Sequence, residues 1–66
     1  MNIDIKKLLI CMARNQMNDA DIIKAAGIPR GTWQQVKNEK CKTVRPATIG
    51  KIAKGLNVDV TEIIKD

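Results

Sequence analysis

The sequence predicts an all-α protein, a compact five-helix bundle that forms a single domain over residues 1–66. Three observations predict this class. Apolar residues recur three and four positions apart, which is the spacing of one helix face. Residue types that begin and end helices separate these stretches. No stretch alternates apolar and polar residues with the period of two that a half-buried strand requires, so a sheet is not expected.

Helix 1 is predicted over residues 4–16, because its apolar residues are spaced i, i+3, i+4 and i+7. The predicted stripe consists of Ile5, Leu8, Leu9 and Met12. Cys11 fits the small apolar core position that an unpaired cysteine often takes.

Helix 2 is predicted to begin at Asn18, since asparagine side chains cap the unpaired N–H groups of a helix start. Asp19 and Asp21 follow in the first turn, where the helix dipole favours negative charge. Gly27 is predicted to end the helix, because glycine enters the left-handed backbone conformation at little cost. The predicted buried residues are Ile22, Ile23 and Ala26.

Helix 3 is predicted to begin at Pro29 and to run to about Asn38, because proline suits the first turn of a helix. In the short turn before it, Ile28 is expected to contact the core. Trp33 and Val36 are three positions apart and so share one face, which we assign to the core. Stacking of Trp33 on a base is the alternative. A different face carries Arg30, Gly31, Gln34 and Gln35. The two helices and their turn, at about 18–37, have the layout of a helix-turn-helix.

Helix 4 is predicted to open at Pro46 and to end at Asn57. Its apolar stripe is Ile49, Ile52, Ala53 and Leu56. Residues 61–65 are predicted to form a short fifth helix. Between helices 3 and 4, residues 38–45 read as a cation-rich loop.

The charge of +5 is concentrated in the middle of the chain. Residues 1–23 are neutral, residues 24–54 carry eight basic side chains against Glu39 alone, and residues 55–66 have a net charge of −2. A polyanion is the natural partner of such a segment, because neutralised phosphates release counterions.

Several site classes are excluded by composition. The two cysteines, Cys11 and Cys41, are thirty residues apart and histidine is absent, so neither a zinc site nor another metal or cofactor is expected. Without histidine or serine, and with a core too small for a substrate pocket, the chain is not expected to be an enzyme or to bind a small-molecule substrate. The apolar run LLICMA is too short for a signal or membrane segment, which predicts a cytoplasmic protein with reduced thiols and no membrane partner.

Two blocks of the sequence, IIKAAGIPRGTW and IGKIAKGLNVDVTEII, resemble the phage-repressor and Cro type of helix-turn-helix protein, also called the xenobiotic-response-element family. The first block is similar to that family's apolar pair, small residue, glycine turn and buried helix-3 residue. The second is similar to its fourth and fifth helices. The resemblance covers nearly the whole chain and implies a lambda-repressor-like DNA-binding fold.

The resemblance also implies which residues contact double-stranded DNA. Arg30 and Gln35 lie at base-contacting positions of the recognition helix and Gln34 lies beside them; arginine suits guanine and glutamine suits adenine in the major groove. The implied contacts to the DNA backbone are Asn18, Thr32, Lys37, Asn38, Lys40, Lys42, Thr43 and Arg45.

Three residues depart from the family pattern. Ile23 replaces the alanine that is usual where helices 2 and 3 pack, and it is expected to move the two helices slightly apart, which would accommodate Trp33. Asp19 stands where the family usually has a phosphate-contacting glutamine, and its charge would repel a phosphate. Gly31 stands at a base-contacting position but has no side chain to read a base, although it would allow a close approach to the groove.

The expected function is therefore that of a sequence-specific DNA-binding transcriptional regulator, and the expected action is repression at a palindromic operator. The alternative is a protein-interaction module on the same fold, such as an antitoxin or antirepressor with weak specific DNA binding. RNA is a weaker expectation, because the chain lacks exposed aromatic residues that stack on unpaired bases.

A homodimer is expected, since regulators of this type read two half-sites about one helical turn apart. The predicted dimer surface is the C-terminal apolar set Val58, Val60, Ile63 and Ile64. The alternative is that part of this set folds back on helix 1.

Overall fold

The computed structural model describes residues 2–38 and 44–65. Within these ranges the chain forms four α-helices and one short 3-10 helix. They are α1 (Ile5–Arg14), α2 (Asp19–Ala26), α3 (Arg30–Lys37), α4 (Pro46–Leu56) and η1 (Val60–Glu62). The all-α class is confirmed, and the described residues contain no strand, only an isolated antiparallel bridge between Ile3 and Ile64. No helix among them has the length and apolarity needed to cross a membrane.

The prediction of five helices is wrong in its count, because the fifth is only the three-residue turn η1. The Asp59 carboxylate accepts hydrogen bonds from the backbone N–H of Thr61 at 3.3 Å and from its hydroxyl at 2.5 Å, which starts the turn and lowers the pKa of Asp59. Beyond it, the carbonyl of Ile63 and the N–H of Lys65 bond to the N-terminal segment. Those groups are therefore not available to extend a helix.

Three of the helices end in the same way. Gln16, Gly27 and Asn57 adopt the left-handed conformation, with φ of 55°, 68° and 57°. In each case the next residue donates its N–H to the carbonyl five positions earlier, at 2.9–3.3 Å, and packs its apolar side chain against the core; these residues are Met17, Ile28 and Val58. This is the Schellman arrangement, which satisfies carbonyls at a helix end. The predicted ends at Gly27 and Asn57 are confirmed. Helix 1, predicted to run to residue 16, ends at Arg14, and the left-handed conformation of Gln16 was not predicted.

The buried face of α1 differs from the predicted stripe. Leu8, Cys11 and Met12 are buried as predicted, but Leu9 is 47% exposed. The run LLICM is apolar throughout, so two overlapping stripes fit the helical spacing equally well. The helix uses the one that contains Cys11.

Trp33 is fully buried, which confirms its assignment to the core. Its indole Nε1 has no hydrogen-bond partner among the described residues. An unpaired buried donor costs about 1–3 kcal/mol, so the large buried ring must more than offset that cost. The whole core consists of Leu8, Cys11, Met12, Ile22, Ala26, Ile28, Trp33, Val36, Val44, Ile49, Ile52, Ala53, Leu56 and Ile63.

The C-terminal apolar residues fold back on the N-terminal segment. The N–H of Asp4 donates to the carbonyl of Ile63 at 2.9 Å, and the N–H of Lys65 donates to the carbonyl of Asn2 at 2.9 Å. Ile63 is fully buried in the chain and has no surface for a partner subunit. Val58, Val60 and Ile64 are half-buried.

The packing of α2 against α4 holds the helix-turn-helix on the rest of the domain. Gly55 lies at their contact. A Cβ at that position would be 3.0 Å from the backbone N of Ala26 and 3.1 Å from the carbonyl carbon of Ala25. Glycine therefore allows α4 to approach the last turn of α2 more closely than any other residue would.

We expect Gly55→Ala to lower the free energy of unfolding by about 1–2 kcal/mol, because backbone atoms have to move to admit the methyl group. Gly50→Ala is the matched control, since a Cβ there meets no atom within 4 Å. The free energy of unfolding of this control is expected to rise by up to about 1 kcal/mol, because alanine has the higher helix propensity. Urea unfolding of both variants measures the difference, and equal stabilisation of the two would contradict the close approach.

Candidate nucleic-acid interface

The outward face of α3 is polar and open to solvent. Arg30, Gly31, Gln34 and Gln35 are all exposed, whereas Trp33 and Val36 on the opposite face are buried. Arg30 and Gln34 are four residues apart, so their Cβ atoms are about 5–6 Å from each other on the helix surface. The face therefore presents a guanidinium and two side-chain amides together.

The start of α3 is free of capping side chains and of acidic residues. Pro29 precedes the helix and makes no side-chain capping bond, and the first turn contains no carboxylate. The start of α4 has the same two properties, with Arg45 at the cap position and Pro46 after it. Within residues 2–38 and 44–65, no side chain caps the first N–H groups of either helix, so these groups and the positive dipole ends can bind an anion.

The start of α2 has the opposite character. The side chain of Asn18 accepts from the N–H of Asp21 at 3.1 Å, and the carboxylate of Asp21 accepts from the N–H of Asn18 at 3.0 Å. This reciprocal capping box satisfies the helix start internally. With Asp19 also in the first turn, this helix start is a poor site for a phosphate.

The remaining residues predicted to contact a nucleic-acid backbone lie at several places. Asn38 and Arg45 are exposed at the end of α3 and the start of α4, and Thr32 and Lys37 are half-buried on the flanks of α3. Lys40, Lys42 and Thr43 lie outside the described residues, as does Cys41. Among the residues that are described, no group of three or more His, Cys, Asp or Glu is arranged to hold a metal ion.

An ion pair joins the start of α2 to the end of α3. The Nζ atom of Lys37 is 2.9 Å from Oδ2 of Asp19, and the two side chains are 34% and 40% exposed. The sequence alone predicts that the charge of Asp19 repels a phosphate and that Lys37 contacts one. The pair was missed because the sequence spacing of eighteen residues does not reveal that these two helix ends lie together.

Gly31 is not required by the packing of the domain. A Cβ built at this position meets no atom within 4 Å, and its φ is not in the left-handed region. The absence of a side chain at Gly31 therefore matters only to a molecule that approaches the outward face of α3.

Comparison with protein families identifies a DNA-binding domain in the chain. The model of the Cro/C1-type HTH DNA-binding domain matches residues 7–66 of the chain, which include all of α2, α3 and α4. The resemblance seen in the two sequence blocks is thereby confirmed. Comparison with curated proteins and with solved structures gave no match.

We expect Asp19→Asn to tighten binding to duplex DNA about threefold to tenfold at low salt. The substitution removes a negative charge and releases Lys37 for a phosphate, so the slope of log affinity against log salt should steepen by up to about one. Fluorescence anisotropy over a salt series measures both quantities.

Asp21→Asn is the control, because it changes the net charge equally but removes no partner of Lys37. In the Asp19→Asn background, Lys37→Gln should cost more affinity than it does in the parent chain. Identical effects of the two asparagine variants would show that net charge alone is responsible.

We expect Gly31→Ala to weaken DNA binding at least about fivefold while leaving the fold as stable or more stable, since alanine is the better helix former. Gly50→Ala is again the control, because its Cβ is equally unobstructed and lies on α4. Undiminished DNA affinity of Gly31→Ala would mean that α3 does not approach the DNA closely at this position.

Proposed function

Because the chain belongs to the Cro/C1-type helix-turn-helix DNA-binding family, we propose that it is a transcriptional regulator that recognises a specific double-stranded DNA sequence through α3. One observation carries this proposal. The helix has a closed face, where Trp33 and Val36 are buried, and an open face that carries Arg30, Gln34 and Gln35. A recognition helix needs both, since one face fixes it to the domain while the other enters the groove.

The chemistry of the open face suits base recognition. A guanidinium donates two parallel hydrogen bonds to O6 and N7 of guanine, and a glutamine amide pairs with N6 and N7 of adenine. We propose that Arg30 and Gln35 make such contacts, with Gln34 as a third candidate. Arg30 is the first residue of α3, and the N-terminal residues of a recognition helix are those that contact base edges.

We further propose that phosphates bind on both sides of this helix. Asn38 at the end of α3 and Arg45 at the start of α4 are exposed. The side chain of Arg45 does not cap α4, so the start of this helix offers backbone N–H groups to an anion. The sequence of the intervening segment adds Lys40, Lys42 and Thr43. Thr32 belongs to the same proposal, as does Lys37 once it has left Asp19, whereas Asn18 is engaged in the capping box of α2. Contacts of this kind set register and orientation and do not read sequence.

The proposed mode of action is repression by a homodimer that reads a palindromic operator. Two copies related by a twofold axis would place their recognition helices in successive major grooves on one side of the DNA. A bound dimer of this kind blocks access to a promoter. The half-buried Val58, Val60 and Ile64 remain available to a partner at the edge of the domain.

Selection of bound sites from randomised duplexes tests specificity, half-site symmetry and spacing together. On the selected site, Arg30→Ala and Gln35→Ala should each cost about 1–3 kcal/mol of binding free energy, with little change on random duplex. Lys6→Ala, which removes an exposed cation of α1, is the control and should have a small effect on both.

Two outcomes would contradict the proposal in different ways. Equal losses on the selected and the random duplex would mean that Arg30 and Gln35 contact only the DNA backbone. If selection returned no preferred sequence, the protein-interaction alternative on the same fold would be favoured.

A further inference from the structure

Gly31 leaves a gap in the outward face of α3. It is the second residue of the helix, and it is exposed together with Arg30, Gln34 and Gln35. Residues three and four positions apart on a helix have Cβ atoms about 5–6 Å from each other, so Gly31 lies beside both glutamines. The space left by its absent side chain, the Gly31 recess, has the Cα atom of glycine as its floor and polar side chains as its rim.

Neither packing nor backbone conformation requires a glycine at this position among residues 2–38 and 44–65. A Cβ at Gly31 would meet no atom within 4 Å, whereas one at Gly55 would lie 3.0 Å from the backbone N of Ala26. The left-handed conformation is found at Gly27 and not at Gly31. Glycine is also a poorer helix former than alanine. It therefore destabilises α3 without serving a turn or a close helix contact, which points to a molecule that enters the recess.

The floor of the recess selects among the groups that DNA presents in the major groove. Those groups are hydrogen-bond donors, hydrogen-bond acceptors and, on thymine, the C5-methyl group. A donor or acceptor held against the Cα atom of Gly31 would lose its hydrogen bonds to water, which is unfavourable. A methyl group loses no hydrogen bond there and is removed from water. A methyl group is therefore the group that fits this floor.

The rim of the recess favours the same base pair. A glutamine amide pairs with N6 and N7 of adenine, and Gln34 and Gln35 both adjoin Gly31 on the helix surface. Each adenine of a duplex is paired with thymine, whose methyl group lies in the same groove. An amide bound to adenine thus brings a thymine methyl group within reach of α3.

We propose that the Gly31 recess holds the 5-methyl group of a pyrimidine, and that Gly31 is a specificity-determining residue for that base. The inference rests on the proposed function, since it requires α3 to lie in the major groove. It adds a base that the polar side chains of α3 do not themselves identify. Thymine and 5-methylcytosine both carry this group, at the same position of the pyrimidine ring.

Removal of one methyl group tests the recess. In the duplex selected by the parent chain, each thymine is replaced in turn by deoxyuridine, which pairs with adenine in the same way but lacks the methyl group. At one position of a half-site, the parent chain should lose affinity about threefold to tenfold, because one methyl contact is lost. Fluorescence anisotropy measures the affinity.

Gly31→Ala should abolish or reverse this preference for thymine, because its Cβ fills the recess. The variant should bind the thymine duplex at least about fivefold more weakly than the parent does. On the uracil duplex, where the methyl group no longer competes for the space, its affinity should be within about twofold of the parent's. Gly50→Ala is the control, since its Cβ is equally unobstructed and lies on α4, and it should keep the parent's preference.

A second pair of duplexes identifies the base that supplies the methyl group. A C·G pair replaces the sensitive T·A pair, with or without a methyl group at C5 of the cytosine. The parent chain should bind the methylated duplex more tightly than the unmethylated one, and Gly31→Ala should not. Tighter binding of the parent to thymine than to 5-methylcytosine assigns the recess to thymine, and the opposite order assigns it to 5-methylcytosine.

Two results would overturn the inference and leave sequence-specific DNA binding intact. One is a parent chain that binds every deoxyuridine duplex as tightly as the selected duplex. The other is a Gly31→Ala variant that loses the same affinity on the thymine and uracil duplexes, which would mean that its Cβ meets the DNA backbone and not a methyl group. Failure to select any preferred duplex, by contrast, would refute the proposed function itself.

Discussion

The contact between α2 and α4 is the constraint on which the rest of the structure depends. A Cβ atom at Gly55 would lie only about 3 Å from the backbone atoms of Ala25 and Ala26. Because glycine has no Cβ, α4 can pack directly against this part of α2. The next residue, Gly27, is the left-handed turn that directs the chain into α3, and Ile28 and Trp33 then enter the core formed with α4. The orientation of α3 thus follows from how closely one glycine allows two helices to pack.

The starts of the helices differ in their electrostatic character. The starts of α3 and α4 are uncapped and free of acids, whereas the start of α2 is closed by its capping box and carries Asp19. The Asp19–Lys37 ion pair is half exposed, so it contributes little to stability. Its consequence is functional, since it withholds one cation from any phosphate at that edge of the interface.

The sequence predicted correctly those features that depend on a residue and its near neighbours, and it failed for features that depend on distant segments. Asn18, Gly27, Pro46 and Asn57 were predicted correctly as helix boundaries, because capping and backbone conformation depend on the residue and its neighbours. Gln16 was missed, since glutamine does not signal a left-handed residue. The exposure of Leu9, and the replacement of a fifth helix by a turn, depend on which distant segments pack together. The outward face of α3 could be recognised from periodicity, but the partner of Lys37 could not.

Hydrogen bonds between residues 2–4 and 63–65 close the chain on itself. Neither end can fray alone, because lifting one away uncovers Ile63, which is otherwise fully buried. The two ends should therefore open as one cooperative unit in amide exchange, with similar protection at Asp4 and Lys65.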